Sequence, residues 1–377
     1  MRSALSVCLC IGAAALCGFA FAKPAPRPSS FVVPPSVSAQ GQPYFARYVA
    51  GFNAGGIVHA ASIVETKAGR SAFWFAGSRE GARDVALKTA VFDGVRWSDP
   101  KTLTDARTTG RDLGRRIKTV GNSVAFRHPG GELWLVYVSV SFGGWAGSRL
   151  NLMRSSDEGE TWSRPIRLRL SPLLNLSNLV KQPPVVYADG TVGLGVYHEF
   201  SRKFPELVLL DRSGAVIGKR RMGSADSGIQ PAITVFSPDH AVALMRKARR
   251  STTGMRRTET RDSGWLWSAV TPSGLPNPGG AVATLALEQN TALVAFNDSE
   301  QRESDLTLAE TVDAGSNWRR RAVVATSPND KAEVSYPYLI AGSDGMIDLV
   351  YTNTADATIR HIRFNRAWLE TQRGGAR

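Results

Sequence analysis

Beyond residue 22 the chain has no cysteine; its three, Cys8, Cys10 and Cys17, all precede that point. The absence excludes disulfides, a thiolate metal site and a cysteine nucleophile from everything downstream. Long apolar runs are scarce as well, and none after residue 22 approaches the length a membrane helix needs. Helical periodicity is hard to find after residue 43, no Gly-rich phosphate loop opens a helix, and no His/Asp/Glu spacing resembles a helix-borne metal site. No metal and no cofactor are expected. Acidic residues are the minority charge, 32 against 46 Lys and Arg, for a formal net charge of +14. That excess favours anionic partners as a class: nucleic acid, phospholipid head groups or acidic sugars. The most basic stretch, RKARRSTTGMRR, lacks interleaved aromatics, so nucleic acid is not the expected partner.

What is present begins with a leader. Residues 1–22 carry one Arg, an apolar run and Ala20-Phe21-Ala22, the layout of a cleaved secretory signal peptide. The expected location is periplasmic or secreted, without a membrane span once the signal is removed. Residues 23–42 are rich in Pro and Ser and read as a flexible lead-in. The body is 43–369, with a short tail at 370–377. Hydrophobic residues make up 43% of the chain, enough for a large core and too many for a disordered protein.

The body is built on a repeat. Short β-rich runs (SAFWFAGSRE, LWLVYVSV, VGLGVYHEF, AVALMRKA, ALVAFNDS, MIDLVYTNT) recur every 48 to 62 residues. Aligned on Phe75, Tyr137, Tyr197, Met245, Phe296 and Tyr351 they make six copies. A second marker follows in phase. Ser155 to Trp162 reads Ser-x-Asp-x-Gly-x-Thr-Trp; Thr311–Trp318 and Thr260–Trp267 fit with substitutions, and the segments around Asp93 and Asp211 look eroded. The chemistry of this octapeptide is local: the Asp accepts bonds within a tight turn, the Gly supplies positive φ, and the Trp packs beneath the hairpin. Asp157, Asp262 and Asp313 are therefore expected on the outer rim, in structural roles. Repeats of this length with several strands each are propeller blades. The expected fold is an all-β, six-bladed β-propeller, with YFARYVAGF closing the ring beside the last blade.

These octapeptides, together with HAASIVE, GSREGARDV, NLSNLVKQPPV, VYHEF, LPNP, SYP and IRHIRF, resemble the Asp-box group of bacterial-neuraminidase-repeat, sialidase-like proteins, over essentially all of 43–369. The resemblance implies a site in the central mouth. Arginines clamp a sugar carboxylate there with their planar fork, an Asp is the general acid, and a Tyr helped by a Glu is the nucleophile. Carried over residue by residue, Arg79 and Asp84 occupy the first-blade stretch with Glu80 between them. Arg246 in ALMRK and Arg302 in SEQRESDLTL take clamp positions, and Tyr336 in Ser335-Tyr336-Pro337 takes that of the nucleophile. Two departures stand out. The family's Arg-Ile-Pro is absent, with His59-Ala60-Ala61-Ser62 near its place, and Gln230 stands where the helper Glu is expected. Glu199 and Glu333 are the alternatives for that helper.

His59 and His198 are further candidates for substrate contact or acid/base work, because imidazole titrates near neutrality. The expectation is that Arg79, Glu199, Arg246, Asp298 and Tyr336, from different blades, face one funnel. The functional reading is an exported glycoside hydrolase acting on a terminal acidic sugar, sialic acid-like or uronic, of a glycan. The alternatives are a non-catalytic propeller that binds anionic glycans or serves assembly, and a lyase on uronate polysaccharide using His59 or His198 as base.

Overall fold

The computed structural model describes residues 26–172, 174–249, 253–329 and 331–372. The proposed signal peptide, 1–22, and the end of the tail, 373–377, lie outside the described residues.

The chain forms six antiparallel sheets arranged as blades. After β1 (Phe45–Phe52), blade 1 is β2–β5: Ile57–Thr66, Gly69–Gly77, Ala86–Phe92 and Lys101–Asp105. Blade 2 is β6–β9: Thr119–Arg127, Leu133–Val140, Ser148–Ser155 and Ile166–Arg167. Blade 3 has a split inner strand, β10 (Leu179–Val180) and β11 (Val185–Val186), followed by β12–β14: Val192–His198, Phe204–Leu210 and Val216–Arg221. Pro183 and Pro184 lie in the split, where residues without an N–H cannot continue a ladder. Blade 4 is β15–β18: Ile229–Val235, Ala241–Arg246, Arg256–Thr260 and Thr271–Pro272. Blade 5 is β19–β22: Ala283–Glu288, Thr291–Phe296, Asp305–Thr311 and Arg319–Thr326. Blade 6 is β23–β25, Val334–Ala341, Met346–Asn353 and Thr358–Asn365, with β1 paired to β25 as its outermost strand. The first strand thus completes the last blade, and the fold is a six-bladed, all-β propeller. Helices are marginal: α1 (Ala106–Leu113) links blades 1 and 2, and α2 (Arg366–Thr371) follows the last strand.

The second strands are buried on both faces, which explains their continuous apolar sequences; every residue of LWLVYVSV is buried. Phe73, Phe75 and Tyr137 fill the space between blades 1 and 2, while Trp74 packs toward blade 6 at Gly51 and Trp134 toward blade 3 at Gly214, all at 0–1% exposure, a burial worth roughly 2–3 kcal/mol per side chain.

The octapeptides join the third strand of a blade to its fourth, at the face opposite the mouth. Asp157 accepts from Ser155 Oγ at 2.7 Å, Thr161 N–H at 2.9 Å and Thr161 Oγ1 at 2.5 Å. Trp162 Nε1 donates to the carbonyl of Gly159, whose φ is 95°, at 3.0 Å. Asp262 and Asp313 repeat the pattern with Thr260 and Leu266, and with Thr311 and Asn317. These aspartates are wholly engaged in their own turns.

The expectation of a flexible lead-in is corrected. Phe31 is 3% exposed, stacks on Tyr187 at 4.9 Å and donates its N–H to Pro238 O at 2.7 Å. Val37, also buried, donates to Leu287 O at 2.7 Å. The segment docks across the hairpins of blades 3, 4 and 5 at the face opposite the mouth, because its few apolar residues fall where the blades leave apolar grooves. Proline and serine content reported the lack of regular structure, not a lack of contacts.

Blades 1 and 6 are clasped by charge. Buried Asp348 accepts from Arg70 Nε at 2.7 Å, His361 Nε2 at 2.9 Å and Arg363 Nη1 at 3.1 Å. Arg70 also reaches Asp344 at 2.9 Å and Glu65 at 3.0 Å.

Candidate functional site

Four inner strands carry a bulge at the mouth end, between His59 and Ser62, Val120 and Ser123, Ile229 and Ala232, and Ser335 and Tyr338. In three of them a residue with a side chain sits in the left-handed region, each with φ 56°: Ala60, Gln230 and Tyr336. Such backbone costs about 1–3 kcal/mol and persists only where the surroundings enforce it. Here the bulge turns Gln230 and Tyr336 into the centre of the ring. In blade 2 the equivalent place is Gly121, where a Cβ would lie 2.5 Å from the ring of Trp145.

Side chains from all six blades converge there. Arg246, at the end of β16, donates through Nη1 to the Tyr336 hydroxyl at 3.3 Å. Gln230 Nε2 donates to the Tyr197 hydroxyl at 3.1 Å, and Asn122 Nδ2 reaches the same oxygen at 3.4 Å. The His59 ring lies 4.0 Å from that of Tyr336. Lys181, in the split of blade 3, is fully buried; its ammonium donates to Ala61 O at 3.1 Å and Pro337 O at 3.4 Å, joined by Gln182 Nε2 to Pro337 O at 3.2 Å. Blade 3 therefore braces the bulges of blades 1 and 6. Glu303 enters from the β20–β21 loop past Gly280, where a Cβ would stand 3.0 Å from the carboxyl carbon.

Burial sets the electrostatics of this cluster. It pushes His59 down to about 3, helped by the charges of Lys181 and Arg246, so the imidazole is neutral. It pulls Lys181 down to about 7. It lifts Glu303 to about 7, with Glu333 adding to the rise and Arg246 opposing it, and Glu303 Oε2 is buried without a hydrogen-bond partner. Tyr336 is raised by burial, against the pull of Arg246. Arg246 is driven down by burial but lifted further by Tyr336, Tyr197, Glu199 and Glu303, and so stays charged. A neutral phenol, a fixed guanidinium and a carboxyl that titrates near neutrality can together bind an anionic sugar and move a proton.

Of the residues picked out in sequence, Tyr336, Arg246 and His59 meet at the centre. Glu199 flanks them, its charge acting on Arg246 and Tyr197 while Lys203 pairs with it at 3.7 Å. Glu80 lies on the β3–β4 loop, accepts from Trp145 Nε1 at 2.8 Å and acts on Tyr336 through its charge. Arg79 and Arg302 are exposed on the rim loops. Asp84 is turned away: Ser78 N–H and Oγ donate to it at 2.8 and 2.9 Å and hold it low, inside a polar recess of about 340 Å³ with Asn53, Gly56 and Lys88. His198 belongs elsewhere, bonded to Glu206 at 2.9 Å and stacked on Phe204 at 4.3 Å. Asp298 does not face the funnel as expected; it is ion-paired with Arg320 on the outer strand of blade 5. Glu333 is exposed beside Glu303.

Lys181, Gln182, Tyr197 and Glu303 escaped the sequence reading. A lysine beside a Pro-Pro pair reads as loop surface, and Glu303 sits next to the more conspicuous Arg302. The signal that could have found Lys181 is its place inside an apolar run, LVKQPPVV, where burial follows from both flanks.

The architecture is similar to several solved structures, at identities that speak for the fold alone. A protein of unknown function from Dyadobacter fermentans matches with a TM-score of 0.68 at 11% identity, over 85% of this chain and 97% of that one. A Hadza microbial sialidase matches at 0.65 and 16%, covering 81% of this chain and 65% of its own. A Trypanosoma rangeli sialidase solved with sialic acid matches at 0.60 and 13%, covering 88% of this chain and 60% of its own. Comparison with curated protein sequences gave no match. The BNR repeat-like domain model matches residues 71–349, most of the propeller and nearly three quarters of the chain, and the protein thus belongs to the BNR repeat-like domain family.

Proposed function

We propose that the protein is an exported glycoside hydrolase that removes a terminal acidic sugar from a glycan. The observation that carries this reading is the Tyr336 hydroxyl 3.3 Å from the Arg246 guanidinium, in a mouth where Glu303 titrates at about 7. Arg246 holds the sugar carboxylate. Tyr336 attacks the anomeric carbon as the glycosidic C–O bond breaks, and its phenolic proton passes to Glu303. The departing oxygen takes its proton from solvent water at the open mouth, since Glu80 acts on Tyr336 as a charge and Asp84 is held ionised by Ser78. Water then replaces the tyrosine and restores both groups. A neutral nucleophile suits a carbon that bears a carboxylate, since a second carboxylate would be repelled. The layout of residues 1–22 supports export.

The test is a screen of sialosides and uronic-acid glycosides. Turnover should fall by about a hundredfold or more in Tyr336→Phe and Glu303→Gln, the scale of a lost nucleophile or proton carrier. Turnover of neutral sugars alone would refute the clamp, and an unsaturated product absorbing in the near ultraviolet would identify a lyase instead. A second reading, a binding propeller without catalysis, draws support from Gln230 bonded to Tyr197 and Asp84 bonded to Ser78. It predicts that acidic glycans bind, and release on adding salt, without product.

A further inference from the structure

A second basic site lies on the mouth face, between blades 1 and 2. Arg149 and Arg167 occupy neighbouring strands, β8 and β9. Arg149 pairs in register with Ser139 and Arg167 with Asn151, so both side chains share one face of the blade. They meet at Ser139, to whose Oγ Arg167 Nη2 donates at 3.4 Å. Arg149 Nε is spent on Asn175 O at 3.0 Å, and its guanidinium stands 5.6 Å from the ring centre of Phe142. Arg115 completes the group from the turn after α1, fixed by its N–H to Gly110 O at 2.8 Å behind the left-handed cap Gly114.

Three guanidinium groups so placed repel one another. Burial and its two neighbours pull Arg167 down to about 10, and burial and Arg115 lower Arg149. Elsewhere the fold answers arginine with carboxylate, as in the clasp of Arg70 and Arg363 with Asp344 and Asp348. Among the described residues no carboxylate is ion-paired with any of these three. Asp112, whose charge reaches Tyr137 on this face, pairs with Arg111 at 3.0 Å, and Arg167 Nε is buried without a partner.

We infer that Arg115, Arg149 and Arg167 form an oxyanion-binding subsite that takes the carboxylate or sulfate of a glycan unit set back from the one in the mouth. This rests on the glycan reading of the mouth. The physical link between the two places is the 141–147 loop. Its Trp145 closes over Gly121 and bonds Glu80 at the mouth, while its Phe142, 58% exposed, offers a flat face for a sugar ring beside Arg149. Planar forks without acid partners suit carboxylate or sulfate oxygens.

The experiment compares the wild type with Arg149→Gln/Arg167→Gln, and with Arg246→Ala at the mouth. Sodium sulfate is set against sodium chloride at equal ionic strength in thermal unfolding, and binding of galacturonic acid is set against its oligomers. Sulfate should raise the wild-type Tm more than chloride does. The double variant should have a higher Tm than the wild type in low salt, because a repulsion is gone, and should lose the sulfate-specific gain. It should bind the oligomer at least tenfold more weakly and the monomer unchanged. An unchanged sulfate response in the double variant overturns the subsite, and a sulfate effect without any change in oligomer affinity overturns the glycan as its occupant. Oligomer binding that depends on Arg149 and Arg167 but not on Arg246 keeps the subsite and removes the mouth reading; the reverse dependence does the opposite.

Discussion

Replacing Glu303 by Gln should stabilise the protein in alkali while it removes the proposed activity. The carboxyl is lifted from its ordinary 4.5 to about 7 by burial and by Glu333. A folded-state pKa above the unfolded one means that the native state holds a proton the unfolded chain gives up. Stability contributed by this group is therefore intact below about pH 4.5 and lost as pH rises toward 7, after which the loss is constant. The full difference is roughly 3 kcal/mol. Because Glu303 Oε2 is buried without a partner, solvent screening removes little of it. Glutamine carries no charge at any pH, so Glu303→Gln should match the wild type near pH 4.5 and exceed it by up to roughly 3 kcal/mol at pH 8.5. For a propeller of this size that is about 5 °C in Tm, from the usual entropy of unfolding per residue. Urea unfolding at both pH values, with thermal scans in parallel, measures it. A variant that is no more stable than the wild type at pH 8.5, or that gains equally at both pH values, would refute the assignment of Glu303 as a carboxyl strained by its surroundings.

The clasp should behave in the opposite sense. Asp348→Ala leaves Arg70 and His361 buried without their acceptor, and urea unfolding should show a loss of about 3–5 kcal/mol. Asp348 is held low by His361, Arg70 and Arg363 against the effect of burial, so its contribution is present above the ordinary carboxyl range and disappears as pH falls below it; acid unfolding of the variant should lack that component. Phe31→Ala should cost about 3–5 kcal/mol by opening a cavity over Tyr187, and limited proteolysis should then cut within residues 26–42 before the blades are touched. Asp157→Ala should lower Tm through the loss of its turn bonds yet leave sugar binding at the mouth unchanged, as measured by calorimetry; a loss of binding would give the Asp box a role beyond its hairpin.

What the sequence determined on its own is the repeat. The octapeptide around Asp157 contains every donor, acceptor and left-handed glycine its turn uses, so eight consecutive residues specify the hairpin, and six phased copies of the β-rich run specify the ring. Tyr336 and Arg246 were picked out by the family resemblance, which locates them relative to strands of the repeat, and the fold sets their side chains next to each other. The tertiary structure decided the rest. Whether Glu303 or Asp84 carries a mobile proton depends on burial by other blades in the first case and on a serine six residues away in the second. His198 and Asp298 look like site residues until Glu206 and Arg320 appear beside them. Lys181 acquires its role only because two prolines split an inner strand and direct it to the carbonyls of blades 1 and 6. Turn chemistry is written in neighbours along the chain; the charge state and direction of a side chain at the centre of a ring are set by residues up to hundreds of positions away.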